Sequence, residues 1–210
     1  MFENREQAAE QLAERLAGYH GATPLVLAVP RGAVPMGDLL ARRLAGELDV
    51  VLVHKLGAPG NPEFAVGAVD EHGHTLYTAD ADRVPQDILD EERRRQQASL
   101  VARRRLYGLA PIDPEGRIVI VVDDGMATGA TLLAALRLVA NRRPRRLIAA
   151  VPVAPRDSLG EVAAVADEVV CLETPENFLS VGQYYRDFRQ VEDAEVEALL
   201  AARRSGRRDD

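Results

Sequence analysis

The segment RIVIVVDDGMATGATLLAALRLV, residues 117–139, decides the fold. Its first part is an unbroken aliphatic run, the pattern of a parallel strand covered on both faces. From Gly129 the leucines and alanines fall at helical spacing. Between the two stand Asp123 and Asp124, then Gly, Thr, Gly and Thr. Adjacent carboxylates repel each other and are poorly hydrated at the end of an apolar strand. A cationic or hydroxyl-rich partner should be waiting for them.

The same alternation of buried strand and helix extends to both sides. A capped helix is expected over 4–18, with Asn4 as the cap and Gln7 three residues on. PLVLAV (24–29) reads as a strand, and VPMGDLLARRLAGEL after the turn at 30–33 as a helix. DVVLVHK (49–55) reads as a second strand, 57–62 as a loop, and FAVGAVDEHGHTLYT as a hairpin turning near His72 and Gly73. A long charged helix is expected over 85–107. RRLIAAVPV, a helix from Ser158 and EVVCLE (168–173) complete the series. The fold class is therefore α/β, an open twisted parallel sheet with flanking helices. We expect one domain over 1–210, with a frayed tail at 203–210.

Composition narrows the function. With 47% hydrophobic and 28% charged residues the chain is ordinary for a soluble globular protein. A net charge of -7 argues against non-specific nucleic-acid binding. No apolar run approaches a membrane span, and MFENREQAAEQ is too polar for a signal peptide. A cytoplasmic protein is expected. The single cysteine, Cys171, has no partner for an internal disulfide and reads as a small buried hydrophobe.

The loop after a parallel strand's carboxyl end is where open α/β sheets bind ligands. The new helix offers unpaired amides and the positive end of its dipole, a seat for phosphate. Gly125 and Gly129 let the backbone curl close, and Thr128 and Thr131 add hydroxyls. A ribose 5-phosphate meets both demands, with its hydroxyls on the acids and its phosphate in the loop. The Walker lysine and the Gly-x-Gly-x-x-Gly fingerprint are absent. VIVVDDGMATGAT resembles the PRPP-binding motif of type I phosphoribosyltransferases. The resemblance implies that fold with a small hood. The core would span about 20–175, and the hood would come from the N-terminal helix and about 175–190. It also implies that Asp123 and Asp124 hold the ribose hydroxyls, with Mg2+ on the pair directly or through water. Gly125, Met126, Ala127, Thr128, Gly129, Ala130 and Thr131 would hold the 5-phosphate.

Two further segments resemble the same family. VPRGAVPMG (29–37) is similar to its pyrophosphate loop through Arg31 and Gly32, and HKLG (54–57) to the Arg-Lys-x-Gly of the adenine enzymes. Lys55 is the chain's only lysine. Lys55, Arg31 and Asp124 are the expected catalytic residues, stabilising charge on a departing pyrophosphate. Residues 57–67 would be a mobile cover, yet they carry none of the Lys and Arg found there in orotate-type enzymes. Ala127 lacks the carboxylate that hypoxanthine-guanine enzymes place at that loop position, which argues against a 6-oxopurine acceptor. In PENFLSVGQYYRDF, Tyr184 and Tyr185 are candidates to stack on a base, or to fill the hood's own core. Glu63, His72 and His74 read as surface residues of the hairpin. EERRRQQASLVARRRLYG reads as a solvated helix face or a subunit contact. The expectation is a homodimeric, magnesium-dependent transferase using PRPP and a small nitrogen acceptor. Alternatives are a PRPP- or nucleotide-sensing regulator without catalysis, and a hydrolase.

Overall fold

The structure, a computed structural model, describes residues 1–58 and 61–206, with main chain alone at 62, 63 and 204–206. β1 (Leu25–Ala28), β2 (Glu47–Val50), β6 (Ile118–Val122), β7 (Arg146–Val153) and β8 (Glu168–Glu173) form a parallel sheet in the order β2-β1-β6-β7-β8. β1 and β6 lie side by side at its centre. Their carboxyl ends, with the loops at 29–33 and 123–129, therefore meet at one edge of the sheet.

Because strand residues alternate between faces, the two sides of the sheet carry separate cores. Val26, Ala28, Ile120 and Val122 face Leu12 of α1 (Arg5–Arg15) and Leu40 of α2 (Val34–Arg43). Leu25, Leu27, Val119 and Val121 face Leu132 and Leu136 of α4 (Ala130–Ala140) and Val162 of α5 (Arg156–Ala163). Helices on both faces keep the continuous apolar strands out of water.

At the expected helix start, Asn4 Oδ1 accepts from the Gln7 amide at 2.9 Å, and Gln7 Oε1 reaches back to the Glu3 amide at 2.8 Å. α2 is shorter than its sequence implies. It ends at Arg43, Ala45 turns with φ of 50°, and Glu47 and Leu48 belong to β2. A side chain at Gly46 would meet Pro24 O at 2.4 Å, so the chain passes β1 too closely to continue as a helix.

The expected strand over 49–55 is instead two strands in two sheets. β2 stops at Val50, Val51 and Leu52 cross over, and β3 (Val53–Ala58) joins β4 (Asn61–Asp70) and β5 (Thr75–Tyr77) in an antiparallel sheet. Within the expected loop at 57–62, the described residues are paired strand, with Gly57 opposite Ala65 and Ala58 opposite Asn61. Pro59 and Gly60, in the middle of the expected cover, lie outside the described residues, as does the Glu63 side chain. At the next turn Asp70 accepts from the amides of His72 and His74 and pairs with the His74 ring at 2.8 Å.

The break after β2 has a polar cause. Arg104, on α3 (Gln86–Tyr107), is 8% exposed and donates to Asp49, Glu71 and the Val50 carbonyl, the last at 2.9 Å. Asp49 also accepts from the Ile112 amide at 2.9 Å. One guanidinium thus ties the last turn of α3 to the end of β2 and the end of the hairpin sheet. This corrects the reading of the arginine-rich helix as a solvated face or subunit contact at Arg104 alone; Arg94, Arg95 and Arg105 are exposed, with Arg95 paired to Glu92.

α6 (Asp193–Gly206) had no counterpart in the sequence reading. It takes residues 203–206 of the expected frayed tail into helix, and 207–210 lie outside the described residues. Among the described residues no helix is long and apolar enough to cross a membrane.

Arg104→Met should lower unfolding stability by about 3–5 kcal/mol, because two buried carboxylates lose their partner. Adding Asp49→Asn and Glu71→Gln should recover part of that loss. Urea denaturation of the three proteins checks both statements.

Candidate functional site

Asp123 and Asp124 follow β6 directly. The Asp123 amide donates to Ala150 O at 3.2 Å and the Met126 amide to Val153 O at 2.9 Å, so β7 fixes both ends of the acidic turn. Asp123 Oδ1 accepts from the Asp124 amide at 2.9 Å. The awaited cation is Arg5, from α1. Its Nε and Nη2 both donate to Asp124 Oδ2, at 2.9 and 2.7 Å. Its Nη1 donates to Arg189 O at 2.7 Å, and its guanidinium lies 3.9 Å from the centre of the Phe188 ring.

The loop after β1 closes on the same carboxylate. A Cβ on Gly32 would stand 2.0 Å from Asp124 Oδ2 and 3.3 Å from Arg5 Nη2, so only glycine admits this approach. The Pro30–Arg31 peptide is cis. Gly125 is constrained by the hood, where Val181 Cγ1 would be 2.3 Å from an added Cβ. Gly129 has φ of 73° and would meet Met126 Sδ at 2.7 Å.

Two carboxylate oxygens remain without a hydrogen-bond partner among the described residues, Asp123 Oδ2 and Asp124 Oδ1. No buried side-chain polar atom is left unpaired among these residues, so both oxygens reach accessible space. Beside them the loop turns into α4. Ala127, Thr128 and Thr131 are exposed, and the amides of Ala127, Thr128, Gly129 and Thr131 donate to no protein acceptor among the described residues. Unpaired amides at a helix start form an anion seat. Ser158, read from the sequence only as a helix start, steadies the loop by donating to Ala127 O at 2.9 Å.

Burial raises the Asp123 carboxyl well above the usual range, and the charge of Asp124 adds to the rise. Burial raises Asp124 as well, with Arg5 opposing it. The donor set does not fit a resident divalent cation. Asp124 already carries a guanidinium on one oxygen, and that charge opposes a cation bound directly to the pair.

The other expected residues are spread out. Arg31 turns its side chain to Asp193 at 3.3 Å and Glu192 at 3.8 Å, at the start of α6, where Asp193 also accepts from the Tyr107 hydroxyl at 3.0 Å. Lys55 is exposed, and no ion pair to it occurs among the described residues. It lines a cavity of about 530 Å³ with His54, Glu92, Arg95, Gln96 and Thr131. Thr131 brings that cavity to the loop at 125–131, while the acids and Arg31 do not line it.

Tyr185 is 5% exposed, between Phe188 at 4.8 Å and Phe2 at 5.4 Å, and its hydroxyl donates to Asp124 O at 2.6 Å. Both ring faces are covered, so Tyr185 fills the hood's core and braces the acidic turn rather than offering a face to a base. Burial pushes its hydroxyl far above the ordinary phenol range. Tyr184 is half-buried, stacks on Phe178 at 5.6 Å and donates to Asn177 O. Cys171 is half-buried, and burial pushes its thiol up to about 11, which leaves it unreactive.

A carboxyl raised by burial costs nothing while protonated in both folded and unfolded chains. The cost grows as pH climbs from the unfolded value through the folded one. Asp123→Asn should therefore raise the melting temperature relative to the parent by more at pH 8 than at pH 5. A difference that stays constant with pH would show that Asp123 is not the strained group.

With this geometry established, comparison with known proteins supplies the relationship. Two Mycobacterium tuberculosis proteins, from strains CDC 1551 and H37Rv, provisionally named phosphoribosyl transferases, are each 42% identical over 205 residues. The match covers 95% of this chain and 46% of theirs, so the chain spans about half the length of these curated relatives. The crystal structure of TT1426 from Thermus thermophilus is 47% identical, with a TM-score of 0.87 over 96% of this chain and 98% of that one. The phosphoribosyl transferase domain model matches residues 2–189, and the chain belongs to that family, with the type I fold described above.

Proposed function

We propose that the protein transfers the ribose 5-phosphate of PRPP to a small nitrogen acceptor and releases pyrophosphate. The observation that carries this reading is the pairing of two open carboxylate oxygens with four undonated amides across one loop. Hydroxyls supply the donors that Asp123 and Asp124 lack, and a phosphate supplies the acceptors that the amides at 127–131 lack. A sugar phosphate with vicinal hydroxyls answers both halves.

In the reaction, the bond from the anomeric carbon to the diphosphate oxygen breaks and a bond to the acceptor nitrogen forms. The electron pair leaves with the diphosphate, and the acceptor's proton passes to solvent. The two acids fix the ribose ring and the loop fixes its phosphate, which removes the freedom of the reacting carbon. Lys55, an exposed cation with no paired acid among the described residues, meets the charge growing on the diphosphate. Tyr184 with Phe178 offers the half-open aromatic pair for the acceptor. Magnesium, expected from the family resemblance, has no seat of its own among these residues and enters no step here.

One observation favours a second reading, that of a regulator binding the same ligand without turnover. Arg31 is engaged by Asp193 and Glu192, two acids that compete with a diphosphate for it.

Pyrophosphate release from PRPP, with a panel of purines, pyrimidines and pyridine carboxylic acids, separates the readings. A transferase should turn over with one acceptor class only. Binding without release would instead support the regulator, and release without an acceptor a hydrolase. For a transferase, Lys55→Ala should lower kcat by about tenfold or more with a smaller change in the Kd for PRPP, since its interaction strengthens in the transition state. A raised Kd with unchanged kcat would reduce Lys55 to a ground-state contact.

A further inference from the structure

Arg5 comes from a helix that the sequence assigned only to the hood, yet it makes the strongest contact at the acid pair. Two of its N–H groups converge on a single oxygen, Asp124 Oδ2, at 2.9 and 2.7 Å. The guanidinium is clamped on its other sides. Nη1 is on Arg189 O at 2.7 Å, Phe188 lies against its face at 3.9 Å, and the Gly32 backbone closes the near side. The side chains of Arg5 and Asp124 are 11% and 17% exposed. Arg5 therefore has little room to swing away.

That placement sets which ligand the acids accept. One or two carboxylates, completed by substrate phosphate and water, are what magnesium usually takes from a protein. An acid pair left to itself would be open to such a cation as well as to hydroxyls. A guanidinium in contact with Asp124 cancels one of the two negative charges locally. It also stands a few ångströms from any cation that Asp124 would coordinate, in a partly buried place where like charges repel more strongly than in water. An uncharged hydroxyl meets no such opposition. With Oδ2 saturated, Asp124 presents Oδ1, and Asp123 presents its own Oδ2.

We infer that Arg5 is the specificity-determining residue of the acid pair, reserving Asp123 and Asp124 for the uncharged vicinal hydroxyls of a ligand and barring direct coordination of a divalent cation. This rests on the reading of the pair as a ribose site. Of the expected contacts at Asp123 and Asp124 it keeps the diol and removes only a magnesium ion bound directly to the carboxylates, and it makes the α1 arginine part of the site.

The test uses Mn2+ as the cation probe, followed by electron paramagnetic resonance on the full chain without any phosphoribosyl compound. The parent protein should bind no Mn2+ that Asp124→Asn removes. Arg5→Met should acquire a Mn2+ site about tenfold or more tighter than any in the parent, because the opposing charge is gone. Arg5→Met combined with Asp124→Asn should lose that site, and Arg5→Lys, which restores a cation, should suppress it. Mn2+ binding to the parent protein that Asp124→Asn abolishes would overturn the inference, and this arm needs no Arg5 variant to fold. A folded Arg5→Met with no gained site would also overturn it. Titration of ribose 5-phosphate in EDTA, on the parent protein, examines the underlying reading separately. Binding is expected to persist without metal. If the sugar phosphate fails to bind while the Mn2+ pattern holds, the ribose assignment falls and the role of Arg5 as a cation barrier stands.

Discussion

Two carboxylates at consecutive positions, at the end of a strand in the middle of a parallel sheet, are the constraint around which this molecule is arranged. Main-chain bonds to β7 hold them there, and burial works against their charge. Three features nearby answer that problem. Arg5 crosses from the first helix to neutralise Asp124, Gly32 gives up a side chain to let that contact form, and Tyr185 holds the turn by its carbonyl. Arg5 and Tyr185 both reach from chain-end segments into the acidic turn, so the order of the hood and the geometry of the acids are mechanically linked.

A second polar tie, around Arg104, does for the antiparallel sheet what Arg5 does for the acids. It fixes where β2 ends and thereby sends Val53–Ala58 into a separate sheet beside α3 and α4. Lys55 travels with that sheet. Its side chain opens on the cavity next to Thr131 rather than onto the acids. The cation therefore stands beside Thr131, in a cavity that the acid pair does not line.

Much of this was legible in residue order. Continuous apolar runs such as LVLA and IVIVV, bounded by turn residues, pointed to covered parallel strands, and the acid pair with its Gly-Thr loop marked the strand end where open carboxylates and unpaired amides meet. The errors have physical causes. DVVLVHK is apolar throughout, so the shift from one sheet to another leaves no mark in periodicity; only Asp49, buried on Arg104, betrays it. α2 was read through Gly46 because its leucines keep helical spacing, while the contact with Pro24 that stops it comes from another strand. Arg5 sits among ordinary polar residues of an amphipathic helix, 119 positions from its partner, and no local pattern connects them. Tyr184 and Tyr185 are neighbours with opposite fates, one half-open on Phe178 and one sealed, which depends on how Phe2 and Phe188 fold over Tyr185. Asp193 at the start of α6 claims Arg31 through a helix whose apolar stripe was overlooked.

The central claim is that one loop holds a sugar phosphate by both ends. A crystal structure of the protein soaked with ribose 5-phosphate tests it most directly. The account predicts the phosphate on the amides of residues 127–131, the two ring hydroxyls on Asp123 Oδ2 and Asp124 Oδ1, and Arg5 still on Asp124 Oδ2. A sugar phosphate bound in the Lys55 cavity, with the loop at 125–131 empty, would contradict it.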